Sequence, residues 1–346
     1  MTADRLLLNS YILPGRLADV HEGLQHAVEG ERIGLSGIFV SERWETKEIA
    51  SVMGALSQVT DHVGLLAGAT HFGTRHPVVL AGMGATLQTL TKGRFQLGFA
   101  RGVASHFRAF GIPALGLDGM RDYASLLRRL WAGETVEYRG PAGIYPEMKL
   151  GNPCPDPPPM ILACVGEKTL QLAGAHFDGV ILHPFLTAEA VARSTKIVRQ
   201  AAEEAGRNPS DLRVYASVVV APDTLSETQR KDVLDARAAS YFMHAEVGRP
   251  LVTMNGWDPA PMERLAATDL NRFEYSSGKR DDVRAQLAAG SALLPRHWLE
   301  TGAAVGTTEE CVVRLREYQY AGADEILMVG TTPNHHGDLL KVANQR

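Results

Sequence analysis

The run Val165-Gly166-Glu167-Lys168-Thr169 offers the clearest opening for chemistry in this chain. It follows an apolar, β-prone stretch and opens a segment with helical spacing. Backbone N–H groups in the first turn of a helix have no intrahelical acceptor, and with the helix dipole they attract an anion. Gly166 has no Cβ, so a phosphate could approach the backbone closely. The same spacing also suits an ordinary tight turn between strand and helix. Arg101 ends the strand-like run Phe95–Ala100 and offers a guanidinium to a phosphate, a carboxylate or a reduced anionic ring; a salt bridge at a strand end is the plain alternative. Glu42 follows the short run Gly37–Val40 and is the best-placed carboxylate to orient a substrate or cofactor. His71, His76, His106 and His183 fall near strand or helix ends, and of these His71 and His183 are the candidates for catalysis. None has metal-ligand spacing with another, so no metal is assigned. Tyr11 and Trp44 could line a flat ring or simply fill core.

These residues need a scaffold that brings strand ends together. Short β-prone runs alternate with longer stretches of helical period. The strand candidates are Leu6–Leu13, Gly37–Val40, Val63–Ala69, Phe95–Ala100, Met160–Val165, Gly179–Leu182, Arg213–Val220 and Glu325–Val329. Most are separated by helical segments, which implies parallel strands joined by right-handed crossovers. Eight such units close most naturally into a (β/α)8 TIM barrel, whose active sites form at the C-terminal ends of the strands. An open doubly wound sheet is the alternative, but no Gly-rich dinucleotide fingerprint follows any strand. Gly133–Pro159 is rich in Gly and Pro and reads as an excursion with a short hairpin around Thr135–Tyr138. A longer insertion, Pro222–Ala304, separates the seventh and eighth strands and is expected on the active-site face as a lid, an interface or mere decoration. All 346 residues read as one domain.

Composition limits the function classes. The net charge is −4 and no basic run stands out, which argues against nucleic acid as a partner. The three cysteines, Cys154, Cys164 and Cys311, form neither a disulfide framework nor a zinc motif and fit a reducing, cytoplasmic setting. No stretch approaches the roughly 20 apolar residues needed to span a bilayer. Nucleophile motifs of the Gly-x-Ser-x-Gly type are absent. Lys168 is the only lysine near a strand end, so a Schiff-base aldolase is poorly served.

Three segments in order resemble the luciferase-like superfamily of flavin and deazaflavin oxidoreductases: Arg75–Gly102 (RHPVVLAGMGATLQTLTKGRFQLGFARG), Met160–Leu182 (PMILACVGEKTLQLAGAHFDGVIL, from Pro159) and Val305–Gly330 (VGTTEECVVRLREYQYAGADEILMVG). Within it, Asn255–Leu265 and Leu293–Cys311 are similar to the actinobacterial branch that uses coenzyme F420. The resemblance implies a barrel, a homodimer and a cofactor phosphate at Val165, Gly166, Glu167, Lys168 and Thr169, with the Glu167 carboxylate turned outward. It also implies a non-prolyl cis peptide between Gly68 and Ala69, which with Thr70 would support the central ring. Two positions depart from the sugar-phosphate dehydrogenases of that branch. Glu42 is followed by Arg43 rather than His, and Val103 stands in place of a glutamate. The general acid or base is therefore unassigned. The expected function is coenzyme F420-dependent hydride transfer to or from a small organic substrate. The alternatives are an FMN-dependent monooxygenase fed by a partner reductase and a non-catalytic flavin-binding protein.

Overall fold

Short runs of β-branched and large apolar residues, buried on both faces, are what a parallel sheet sheathed in helices requires. The computed structural model, which describes residues 5–14, 19–44, 46–270 and 280–345, arranges them as a closed ring. Its strands are β1 (Leu8–Tyr11), β2 (Gly37–Val40), β3 (Gly64–His71), β4 (Phe95–Ala100), β7 (Met160–Cys164), β8 (Gly179–Leu182), β9 (Arg213–Pro222) and β11 (Glu325–Val329). They pair in that order, in parallel, and β11 returns to β1 to close a (β/α)8 barrel. An antiparallel hairpin, β5 (Val136–Gly140) and β6 (Gly143–Met148), occupies the Gly/Pro-rich excursion.

The helices are α1 (His21–Arg32), α2 (Ile49–Val59), α3 (Pro77–Leu90), α4 (Ala104–Ala109), α5 (Leu117–Trp131), α6 (Glu167–His176) and α7 (Ala188–Glu204). Within the insertion come α8 (Glu227–Arg230), α9 (Arg237–Phe242), α10 (Ala245–Asn255), α11 (Ala260–Ala266), α12 (Arg280–Gly290) and α13 (Arg296–Thr301). The chain then ends with α14 (Thr308–Tyr320) and α15 (Gly337–Asn344). Local signals set several starts. Glu48 accepts hydrogen bonds from the N–H groups of Ala50 and Ser51 to begin α2, Pro77 opens α3, and Thr307 with Glu310 forms a capping box on α14. Among the described residues, no helix is long and apolar enough to cross a membrane.

A ninth parallel strand, β10 (Ala303–Gly306), was not expected. It pairs with the upper half of β9, Val219 to Pro222, whereas β8 pairs with Arg213 to Ala216. The long β9 thus serves β8 below and β10 above. The insertion packs on the barrel mouth through an aromatic core: Trp257 stacks on Trp298 at 4.6 Å, and Phe242 meets Trp298 at 5.4 Å and Phe185 at 5.9 Å. Polar contacts tie α10 down. Glu246 accepts from the Ala104 N–H, Asn255 accepts from the Thr187 N–H, and the Asn255 amide donates to Phe185 O, each at 2.9 Å.

Candidate active site

Gly166 is the N-cap of α6, with extended backbone (φ −87°, ψ 152°) and no side-chain cap. Its carbonyl accepts from the Thr169 and Leu170 N–H groups, each at 3.0 Å, and from the Thr169 hydroxyl at 2.7 Å. The N–H groups of Gly166, Glu167 and Lys168 find no acceptor among the described residues. Three donors at the positive end of a helix could receive an anion, and the exposed Lys168 stands beside them. The Glu167 side chain is exposed as well. A Cβ on Gly166 would lie 3.8 Å from Pro250 Cβ and 3.9 Å from Thr169 Oγ1, ordinary contact distances. Pro250 belongs to α10, which roofs this end of the site. Cys164, just below, is no nucleophile: burial holds its thiol well above the usual range, despite a hydrogen bond with Thr169.

Strand β3 supplies the second part. The Gly68–Ala69 peptide bond is cis, and the pairing of β3 with β4 shifts register between Ala67 and Thr70. A Cβ on Gly68 would meet the Phe39 ring at 3.4 Å, and Ala69 O accepts from the Glu42 N–H at 3.0 Å. The bulge is therefore locked to the end of β2 and presents small groups to the mouth. Gly98 of β4 lies against it: a Cβ there would fall 2.1 Å from Ala67 O.

Glu42 itself is committed elsewhere. Its side chain is 0% exposed and forms an ion pair with Arg75, while the Thr70 hydroxyl and the Ile49 N–H also donate to it. Arg75 reaches Glu48 too. Burial works against the Arg75 charge, but the two carboxylates outweigh it and hold its pKa above the ordinary value. A carboxylate with its lone pairs so occupied braces β2, β3 and α2. The residue bracing it, Arg75, was visible in the sequence only as part of a quoted segment.

The two candidate histidines differ. His71 joins an aromatic cluster at the mouth, with Trp44 at 5.0 Å and Phe107 at 5.6 Å, and Phe110 completes it 5.7 Å from Trp44. His183 follows β8, with Nδ1 2.9 Å from Pro184 O and its ring edge-on to Tyr241 at 4.6 Å. Burial lowers its pKa to about 4, against the bond to Pro184, so at neutral pH the ring is neutral. A carbonyl only accepts, so Nδ1 carries the proton and Nε2 keeps its lone pair. The ring can then accept a hydrogen bond at Nε2. His76 caps α3 and is exposed; the side chain of His106 lies outside the described residues. Arg101 is exposed and has no hydrogen bond or ion pair with another described residue, so its guanidinium is available to a ligand.

Tyr11, noted in the sequence for its ring alone, belongs to a further polar group. Tyr11, at the end of β1, stacks on Phe39 at 5.1 Å, and its hydroxyl bonds that of Ser41. Lys47 Nζ donates to Leu13 O and lies 3.4 Å from the Tyr11 hydroxyl. Lys47 lies just ahead of α2 and is buried. Leu13 (φ 53°) and Phe185 (φ 67°) are both left-handed, and each turns its carbonyl to a side chain, Lys47 and Asn255 respectively. Non-glycine residues in this conformation collect at functional faces.

The geometry defines a class: a parallel barrel with an uncapped helix-opening turn after one strand, a bulged cis peptide in another, and a roofed mouth between them. The profile of the luciferase-like monooxygenase family matches residues 8–325, and the chain belongs to that family. A 5,10-methylenetetrahydromethanopterin reductase of Methanolobus tindarius is 24% identical over 310 residues, covering 87% of this chain and 88% of the relative. An F420-dependent glucose-6-phosphate dehydrogenase of Nakamurella multipartita is 26% identical over 272 residues, covering 73% and 75%. The solved structure of a coenzyme F420-dependent tetrahydromethanopterin reductase from Methanopyrus kandleri shares the fold, with a TM-score of 0.76 at 18% identity over 93% of this chain and 92% of that one.

Proposed function

We propose that this protein is a coenzyme F420-dependent oxidoreductase acting on a small organic substrate. The observation that carries the reading is the uncapped turn at Gly166. Its three unpaired N–H groups fit a phosphate, and no side chain competes for them. Relatives named as F420-dependent support the deazaflavin over FMN. When bound, F420 supplies a ring carbon that accepts or donates a hydride. The protein's own part is binding, orientation and exclusion of water. Gly166, Glu167 and Lys168 bind the phosphate through their N–H groups, with Val165 and Thr169 shaping the turn. Arg101 adds charge from the end of β4. Gly68, Ala69 and Thr70 support the ring from β3, and Glu42 with Arg75 holds that support in place. His71 and the mouth aromatics shield the substrate side, and His183 accepts a hydrogen bond there.

The test is a fluorescence titration of the apo protein with F420 and, separately, with FMN. Micromolar or tighter F420 binding, with FMN much weaker, is the expected result. Preference for FMN would place the protein among the monooxygenases, and binding of neither would overturn the cofactor assignment.

A further inference from the structure

The groups around Tyr11 form a recognisable kind of chemical device. Tyr11, Phe39 and Ser41 share the inner face of the barrel: Phe39 stacks on the Tyr11 ring, Ser41 meets its hydroxyl, and Phe39 also underlies Gly68 of the cis peptide. The phenol therefore stands one ring away from the bulge assigned to the cofactor. Lys47 Nζ lies 3.4 Å from the phenol oxygen and 5.2 Å from the ring centre; burial lowers its own pKa, with Arg43 and Arg237, against the pull of Tyr11. Arg43, from the segment after β2, and Arg237, from α9, add two further positive charges. No carboxylate pairs with Lys47, Arg43 or Arg237 among the described residues, and Glu42, adjacent to Ser41 in the chain, is bound to Arg75. Burial alone would raise the Tyr11 pKa. Lys47, the Ser41 bond, Arg237 and Arg43 outweigh it and bring it down to about 8. Tyr123, Tyr138, Tyr145, Tyr215 and Tyr318 all move the other way, chiefly through burial.

We propose that Tyr11 is the acid–base residue of this site, exchanging a proton with the oxygen of an alcohol or ketone substrate, and that Ser41 and Lys47 position it. The assignment rests on the oxidoreductase reading above. In the reducing direction, the carbonyl carbon accepts a hydride from the reduced deazaflavin and the π electron pair moves to oxygen. That oxygen takes the Tyr11 proton. A C–H and an O–H bond form; the C=O π bond and the phenol O–H bond break. The ketone is reduced, the deazaflavin is oxidised, and the phenolate remains beside Lys47 until solvent reprotonates it through Ser41. Alcohol oxidation runs the same steps backwards. A phenol that titrates near working pH suits this exchange, because proton transfer is most effective when donor acidity matches the pH.

Two measurements test it. Ultraviolet difference titration of the apo protein, read at the tyrosinate band, should show one tyrosine ionising near pH 8. That signal should vanish in Tyr11→Phe and move to higher pH in Lys47→Met and Ser41→Ala. Tyr11→Phe should bind F420 as tightly as wild type. With a panel of short-chain secondary alcohols and ketones it should turn over roughly 10²–10⁴-fold more slowly and lose the alkaline inflection in kcat/KM. Wild-type turnover by Tyr11→Phe, or an early tyrosinate signal that survives the substitution, would overturn the proposal. A wild-type protein that binds F420 yet turns over none of the panel overturns the alcohol–ketone assignment. One that binds no F420 overturns the cofactor reading instead, and the apo titration still decides whether Tyr11 has this acidity.

Discussion

Arg75 binds the wholly buried Glu42 carboxylate, and such a pair is most sensitive to losing its cation. Arg75→Met leaves the Glu42 carboxylate buried with no cation, a change that costs about 3–5 kcal/mol. A urea midpoint should fall accordingly; a loss under about 1 kcal/mol would mean the pair does not hold the end of β2. Gly166→Ala separates binding from folding. The new methyl meets its neighbours at ordinary contact distance, so the melting temperature should hold. It also occupies the phosphate's approach, so the Kd for F420 should rise about tenfold, equal to about 1.4 kcal/mol. Buried histidines set an acid limit. Burial lowers His183 to about 4 and His336 to about 3, from an ordinary 6.5. The unfolded chain therefore takes up protons first as pH falls. Their contribution to stability is complete above about pH 6.5 and is lost as pH drops through 6.5 toward those lower values. Thermal melts should fall between about pH 7 and about pH 5.5, and His336→Gln should flatten part of that slope.

Strands β3 and β4 press on each other at the bulge, and the pressure is specific enough to test. Gly98→Ala would place a methyl 2.1 Å from Ala67 O, a backbone atom that cannot swing aside. Overpacking of this kind costs about 1–3 kcal/mol, so chemical denaturation should show a loss in that range and weaker F420 binding as the bulge shifts. This contact was beyond sequence reasoning, since a glycine in a strand says only that something comes close. The eight ring strands were legible because parallel strands buried on both faces leave continuous apolar runs between amphipathic helices. The turn at Gly166 was legible because its residues are contiguous. Strand β10 was not, because Ala303–Gly306 is short and its pairing depends on β9 extending past β8. Lys47 and Ser41 were missed for a related reason: local spacing gives Lys47 to the start of α2, and only the closed ring sets it against Tyr11. Glu42 was found as a residue but not in its role, since its partner lies across the β3 bulge.

Among the described residues, a handful of polar contacts tie the insertion to the ring. Asn255 alone joins α10 to both Phe185 and Thr187. Asn255→Ala should leave the barrel folded but loosen this roof, so limited proteolysis should cut within the insertion sooner than in wild type, while bound F420 slows the cut. Unchanged cleavage would mean the aromatic core around Trp298 suffices to hold it. The anchoring of the insertion carries one more consequence. Pro222 pairs with Gly306, and the Asp223 N–H donates to Gly306 O at 2.7 Å, so the excursion leaves and rejoins the barrel at neighbouring backbone positions. Loop-closure cost grows only slowly with length when the ends already meet. Lengthening the intervening chain therefore adds little to the cost of closing it. Another excursion grafted between those two positions would change what the mouth admits without altering strand register. Selectivity and scaffold are separately editable in this molecule.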